Sequence, residues 1–280
     1  MILSHLPVLV ILSYCLGGLL IPLGGVLHRR FPWGIAFASS LVALALSVTT
    51  LLKTVEDGPL RYAVGAWEPP IGIELVADPL SAFFTVVISL ISLLVLFHAR
   101  FAGGGEPERN PVGYYACVMI LLAGFCGIVG TADLFNLYVF LEMSSLAAYA
   151  LLGVGSGRAA HSAFRYLILG TVAASFYLFG LGFVFAETGS LNMADISAIL
   201  ETTGTHIVSR IGFVFIFIGI AMKMALVPLH QWLPDAYTDA SPISTALVAP
   251  IGAKVAACVI IRLVHDVFPY ELVEGQLFIF

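Results

Sequence analysis

Apolar runs of about 20 residues recur from one end of this chain to the other, each long enough to cross a bilayer as an α-helix. In lipid the backbone has no water to bond, so a spanning segment is either a helix or a strand of a closed barrel. A barrel would alternate apolar and polar residues in segments of about ten, and no such alternation appears. The expected fold is an all-α polytopic membrane protein with about eight transmembrane helices. Composition agrees: 60% of the 280 residues are hydrophobic and 10% are charged, whereas a soluble domain is about 25% charged. Mean hydropathy is +1.04. A net charge of −5 with only three lysines excludes the basic surface of a nucleic-acid binder.

The spans are expected near residues 6–27, 32–52, 79–101, 112–130, 134–153, 163–186, 208–229 and 243–264. The first is followed by His28, Arg29 and Arg30 and reads as a retained helix rather than a cleaved signal. Residues 53–78 are rich in turn formers, and Arg61–Ala66 and Ile71–Val76 are expected to pair as a hairpin outside the bilayer. Residues 103–110 and 155–158 read as loops, and 190–206 as an interfacial amphipathic helix. Arg29, Arg30, Arg100, Arg109 and Arg158 follow spans one, three and five, while the alternate loops hold only Lys53, Arg61 and Arg210. Lys and Arg mark the cytoplasmic side, so the N-terminus is expected outside, in a multi-pass protein of the cell (inner) membrane.

A charge at the bilayer centre costs roughly 3 kcal/mol, so mid-span charges carry the functional signal. Glu142 lies near the middle of span five, Lys223 in span seven, and Lys254 about eleven residues into span eight. Arg165 is near the start of span six, and His230 and Asp235 flank the proline-rich end of span seven. A carboxylate can hold or release a proton, and a buried lysine can lose one. Such groups on neighbouring helices suggest a proton path; the plainer alternative is a set of structural ion pairs. Pro228 and Pro250 free carbonyls of the preceding turn, and broken segments in membranes line water-filled cavities.

Cys15, Cys117, Cys126 and Cys258 all sit in apolar runs and read as core packing. His5, His28, His98, His161, His206 and His265 fall at span ends or in loops and read as interfacial. No Cys/His cluster for metal, no haem-ligand histidine pair within spans and no flavin or NAD fingerprint is present, so no cofactor is expected. That weighs against a quinone-binding redox subunit. A purely structural membrane subunit is the other alternative.

Several motifs resemble the antiporter-like membrane subunits of Mrp cation/proton antiporters, respiratory complex I and membrane-bound hydrogenases. Residues 133–153 (DLFNLYVFLEMSSLAAYALLG) are similar to the fifth helix of that family, and 165–180 to its sixth. Residues 221–236 (AMKMALVPLHQWLPDA) resemble its helix-seven signature, and 241–255 (SPISTALVAPIGAKV) its eighth helix. Residues 62–82 point toward the D-type subunits of Mrp and their hydrogenase relatives.

The resemblance implies that Glu142 and Lys223 are a functional pair, that Lys254 is the next relay residue, and that His230 lies beside the path. Arg165 would tune Glu142 electrostatically, since arginine does not release its proton. The implied fold has spans four to eight (112–266) as one five-helix repeat with a broken helix seven, preceded by residues 1–111 and followed by the start of a truncated ninth helix at 267–280. The implied function is translocation of H⁺ or of a cation such as Na⁺ within a multi-subunit membrane complex, beside other membrane subunits.

Overall fold

The computed structural model describes residues 5–101, 109–155, 157–204 and 206–269. The expected loop at 103–110 falls mostly outside them, as does the expected ninth helix from residue 270 onward. Spans one to six are α1 (Leu6–Leu27), α2 (Phe31–Asp57), α3 (Pro79–Phe101), α4 (Pro111–Gly130), α5 (Leu134–Leu152) and α6 (Ala159–Thr188). The short helix α7 (Met193–Thr203) follows, and span seven is α8 (Ile207–Met224) with a second piece, α9 (Leu233–Asp239). Span eight is α10 (Pro242–Arg262), prolonged by a π-helical turn at Leu263–Val267. Eight of these helical segments are long and apolar enough to cross a membrane.

Local chemistry sets the helix starts. Prolines occupy the first turn of α1, α2, α4, α9 and α10, where a missing N–H costs no helical bond. Asn110, Asp133, Asn192 and Ser241 accept backbone N–H bonds as N-caps.

The hairpin pairs β1 (Leu60–Ala63) with β2 (Glu74–Ala77), antiparallel, with Leu60 opposite Ala77 and Ala63 opposite Glu74. The second strand thus starts three residues later than expected. Its position is fixed by the α4–α5 turn, where Leu75 bridges Thr131 and the Ala132 N–H donates to the Glu74 carbonyl at 3.0 Å. The same turn pairs Asp133 with Asn192, ahead of α7. One end of the bundle is therefore closed by hairpin, turn and the short helix α7 together. At the other end, Gly155 bridges Ala240.

α4 is the central helix, with Val118, Met119, Leu121, Leu122 and Cys126 all buried. α6 and α8 approach backbone to backbone: a Cβ on Gly219 would meet the Ala173 carbonyl oxygen at 2.7 Å, and one on Gly180 the Gly212 oxygen at 2.5 Å. All four cysteines are unbridged, two buried and two half-buried. The six histidines read as interfacial are exposed.

Candidate functional site

Span seven breaks five residues earlier than its hydropathy indicates. α8 stops at Met224, and Ala225 takes the left-handed conformation with φ 59°. The Ala225 N–H donates to the Met222 carbonyl at 3.2 Å and the Leu226 N–H to the Ala221 carbonyl at 2.9 Å. These two bonds form a Schellman cap, a stop more often built on glycine. The Trp232 indole N–H also donates to the Met222 carbonyl, at 3.1 Å. Pro228, which has no N–H, lies in the connection to α9.

The break puts Lys223 in the last turn of α8, where the helix dipole favours a cation. Its ammonium donates to Glu142 Oε1 at 3.1 Å and to Ser145 Oγ at 2.6 Å. The Lys223 side chain is 7% exposed and that of Glu142 is 24% exposed. Glu142 and Ser145 stand one turn apart on α5, so one helix face supplies both oxygens. Lys223 and Ser145 also line a cavity of about 40 Å³ walled by Tyr166, Trp232, Tyr237 and Gly252. One water needs ~10–15 Å³ by this measure. Trp232 stacks flat on Tyr166 at 4.0 Å, and Tyr166 meets Tyr149 edge-on at 4.6 Å. Tyr166 and Trp232 form one wall of the cavity, with Tyr149 behind them.

The other expected residues lie elsewhere. Arg165 pairs with Asp235 on α9 at 2.6 Å, and both are substantially exposed. His230 is exposed in the connection between α8 and α9. Lys254 is exposed and donates to its own helix at Ala249 O, 3.3 Å away. Gly252, Ala253, Val255 and Ala256 line the cavity. At about 100° per residue, Lys254 is on the opposite side of α10 from them. The structure therefore brings together Glu142 and Lys223, and leaves Lys254, His230 and Arg165 outside that contact.

Residues 131–280 match the family described as NADH:quinone oxidoreductase/Mrp antiporter, TM. The chain belongs to this family. It is 42% identical over 265 residues to NADH-quinone oxidoreductase subunit N of Desulforudis audaxviator, covering 94% of this chain and 53% of that protein. It is 31% identical to the D-type subunit of the Na⁺/H⁺ antiporter of Bacillus subtilis, covering 84% of this chain and 47% of the relative. Among solved structures, a chain of the Mrp complex from Dietzia superposes with a TM-score of 0.84 at 26% identity, covering 96% of this chain and 49% of that one. The chain thus spans about half the length of the relatives it matches. As a member of the Mrp antiporter and quinone oxidoreductase family, it is a multi-pass integral membrane protein of the antiporter-like fold.

Two polar clusters in this antiporter-like chain escape sequence reading. Ser145 is hidden because serines in apolar helices are common and usually bond their own backbone. Arg262 sits two residues from the expected end of span eight and reads as a terminal charge. In the structure it is buried, donating to the Val129 carbonyl at 3.0 Å, the Thr131 carbonyl at 3.2 Å and Asp78 Oδ2 at 2.7 Å. It ties α10 to the α4–α5 turn and to the start of α3. Glu74, also buried, accepts from Arg61 at 3.1 Å and from Asn192 at 3.3 Å. The visible signal for the Arg262 and Glu74 clusters is a carboxylate in residues 53–78 with no cation within ten residues of it in sequence.

Proposed function

We propose that this chain is a proton- or cation-translocating antiporter-like subunit of a multi-subunit membrane complex, with Glu142 and Lys223 as its ion-handling pair. The observation that carries the reading is their 3.1 Å contact, with the lysine buried beside a broken helix and a water-sized cavity. Each charge stabilises the other, so a change on one alters the proton affinity of its partner. Lys223 at a helix end can pass a proton to water in the cavity, and Glu142 can accept one. Lys254 is the next station, His230 lies beside the route, and Arg165 acts as a fixed charge. Relatives that are themselves named as subunits of larger assemblies support partner subunits in the same membrane.

The arginine-rich ends of α1, α3 and α5 face the cytoplasm in this reading, and α1 begins outside the cell membrane. Residues 112–266 act as one antiporter-like repeat, with 1–111 as a supporting N-terminal unit.

The test is ion transport by the assembled complex in inverted vesicles. Lys223→Ala, Lys223→Arg and Glu142→Gln are each expected to lower transport by at least ~10-fold, equivalent to about 1.4 kcal/mol on a barrier, while subunit levels stay normal. Glu142→Asp is expected to keep part of the activity. Near-normal transport by Lys223→Arg would remove Lys223 as a proton carrier, because arginine does not release its proton.

A further inference from the structure

Far from the ion pair, the ends of α1 and α3 and the starts of α2 and α4 meet around a second cavity. Its volume is about 370 Å³, and Arg29, Arg30, Arg100, Trp33 and Tyr115 are among the residues that line it. Three guanidinium groups thus share one recess. Arg100 lies over the Trp33 ring, 5.7 Å from its centroid, and the Trp33 indole N–H donates to the Leu96 carbonyl at 2.8 Å. One wall of the recess is therefore held in place by its own contacts. Among the described residues, no carboxylate lies within ion-pair distance of Arg30 or Arg100.

Position specifies the kind of anion. The recess lies where four spanning helices end or begin, and helix ends fall toward the polar edge of a bilayer. Leu23, Leu27, Phe31, Phe97 and Phe101, on the helices that end or begin there, are exposed and offer apolar surface to acyl chains. A soluble phosphate would use the arginines and leave that surface idle. A phospholipid uses both. Arginine forks match phosphate oxygens two at a time, and basic pockets between transmembrane helices hold anionic headgroups.

We propose that this recess binds the phosphate of an anionic phospholipid, with Arg30 and Arg100 as its main cationic ligands and Arg29 beside them. The purified full chain would be titrated with phosphatidylglycerol and with phosphatidylcholine, and retained lipid read by native mass spectrometry. A preference of about 10-fold for phosphatidylglycerol is expected. Arg30→Gln with Arg100→Gln should bring the two lipids to near parity, and Arg100→Gln alone should have part of that effect.

Arg158→Gln, on the same side of the bundle but outside the recess, should leave the preference intact. An equal loss with Arg158→Gln would show a general surface-charge effect and overturn the proposal, as would an unchanged preference in the double variant. Displacement of phosphatidylglycerol by millimolar inorganic phosphate would reassign the recess to a soluble anion and overturn the lipid reading. Thermal unfolding of each variant separates loss of the site from loss of the fold.

Discussion

Lys223 makes its shorter hydrogen bond to a neutral partner: Ser145 at 2.6 Å against Glu142 at 3.1 Å. Ser145 therefore aims the ammonium while Glu142 balances it. Ser145→Ala removes a net contribution of about 1.5–3 kcal/mol for a bond to a charged group. Transport in vesicles should fall several-fold with assembly unchanged, and Ser145→Thr should recover much of it. Unchanged transport in Ser145→Ala would show that Glu142 alone positions the cation. The two charges were legible in the sequence, because charge inside an apolar run is expensive and rarely idle. The serine was not, because its meaning depends on a lysine 78 residues away. Lys254 was legible as a mid-span charge, but its outward direction was not. Hydropathy gives depth, whereas direction depends on which neighbour covers which face.

At the level of helices, all eight spans were legible as elements, and six of them to within four residues at either end, because a run of about 20 apolar residues leaves little else to form; α2 runs five residues past its expected end. Span seven was read past its true end, since Ala225–Leu229 is still largely apolar. Its stop depends on a Schellman cap and on the Trp232 indole, neither of which registers in hydropathy. The α6–α8 contact that supports this stop depends on small residues. Gly219→Leu would force the two helices apart, and overpacking of this kind costs about 1–3 kcal/mol or more. A lower melting midpoint in detergent is expected, together with reduced transport, since Gly219 is one turn from Lys223. Gly34→Leu is the control, because nothing lies within 4 Å of a Cβ at that position. The Arg262–Asp78 bond is a second fastening between elements. Removing one partner of a buried pair costs about 3–5 kcal/mol, and the partial exposure of Asp78 places the effect at the low end. A double-mutant cycle on stability with Arg262→Gln and Asp78→Asn should show the double variant milder than the sum of the singles. Strict additivity would mean that the carbonyl contacts alone hold Arg262.

For the whole molecule, the exposure of Lys254 identifies the face that lipid tails are not expected to cover. A lysine midway along α10 against acyl chains would carry a cost of roughly 3 kcal/mol, so protein rather than lipid is expected over that face in the assembled complex. In a cysteine-free background, Lys254→Cys should resist maleimide in the complex and react in the purified chain. Glu68→Cys, in the exposed connection within the hairpin, should label in both, and from the outer side. Equal labelling of position 254 in both preparations would leave that face to lipid.

The two lysines also define what α10 is. Lys223 looks into the cavity on one side of this helix, and Lys254 projects from the other. α10 is a septum one helix thick. On its cavity side stand the small residues Gly252, Ala253 and Ala256 together with Val255. The cavity and the exposed Lys254 face are thus separated by the thickness of a single helix.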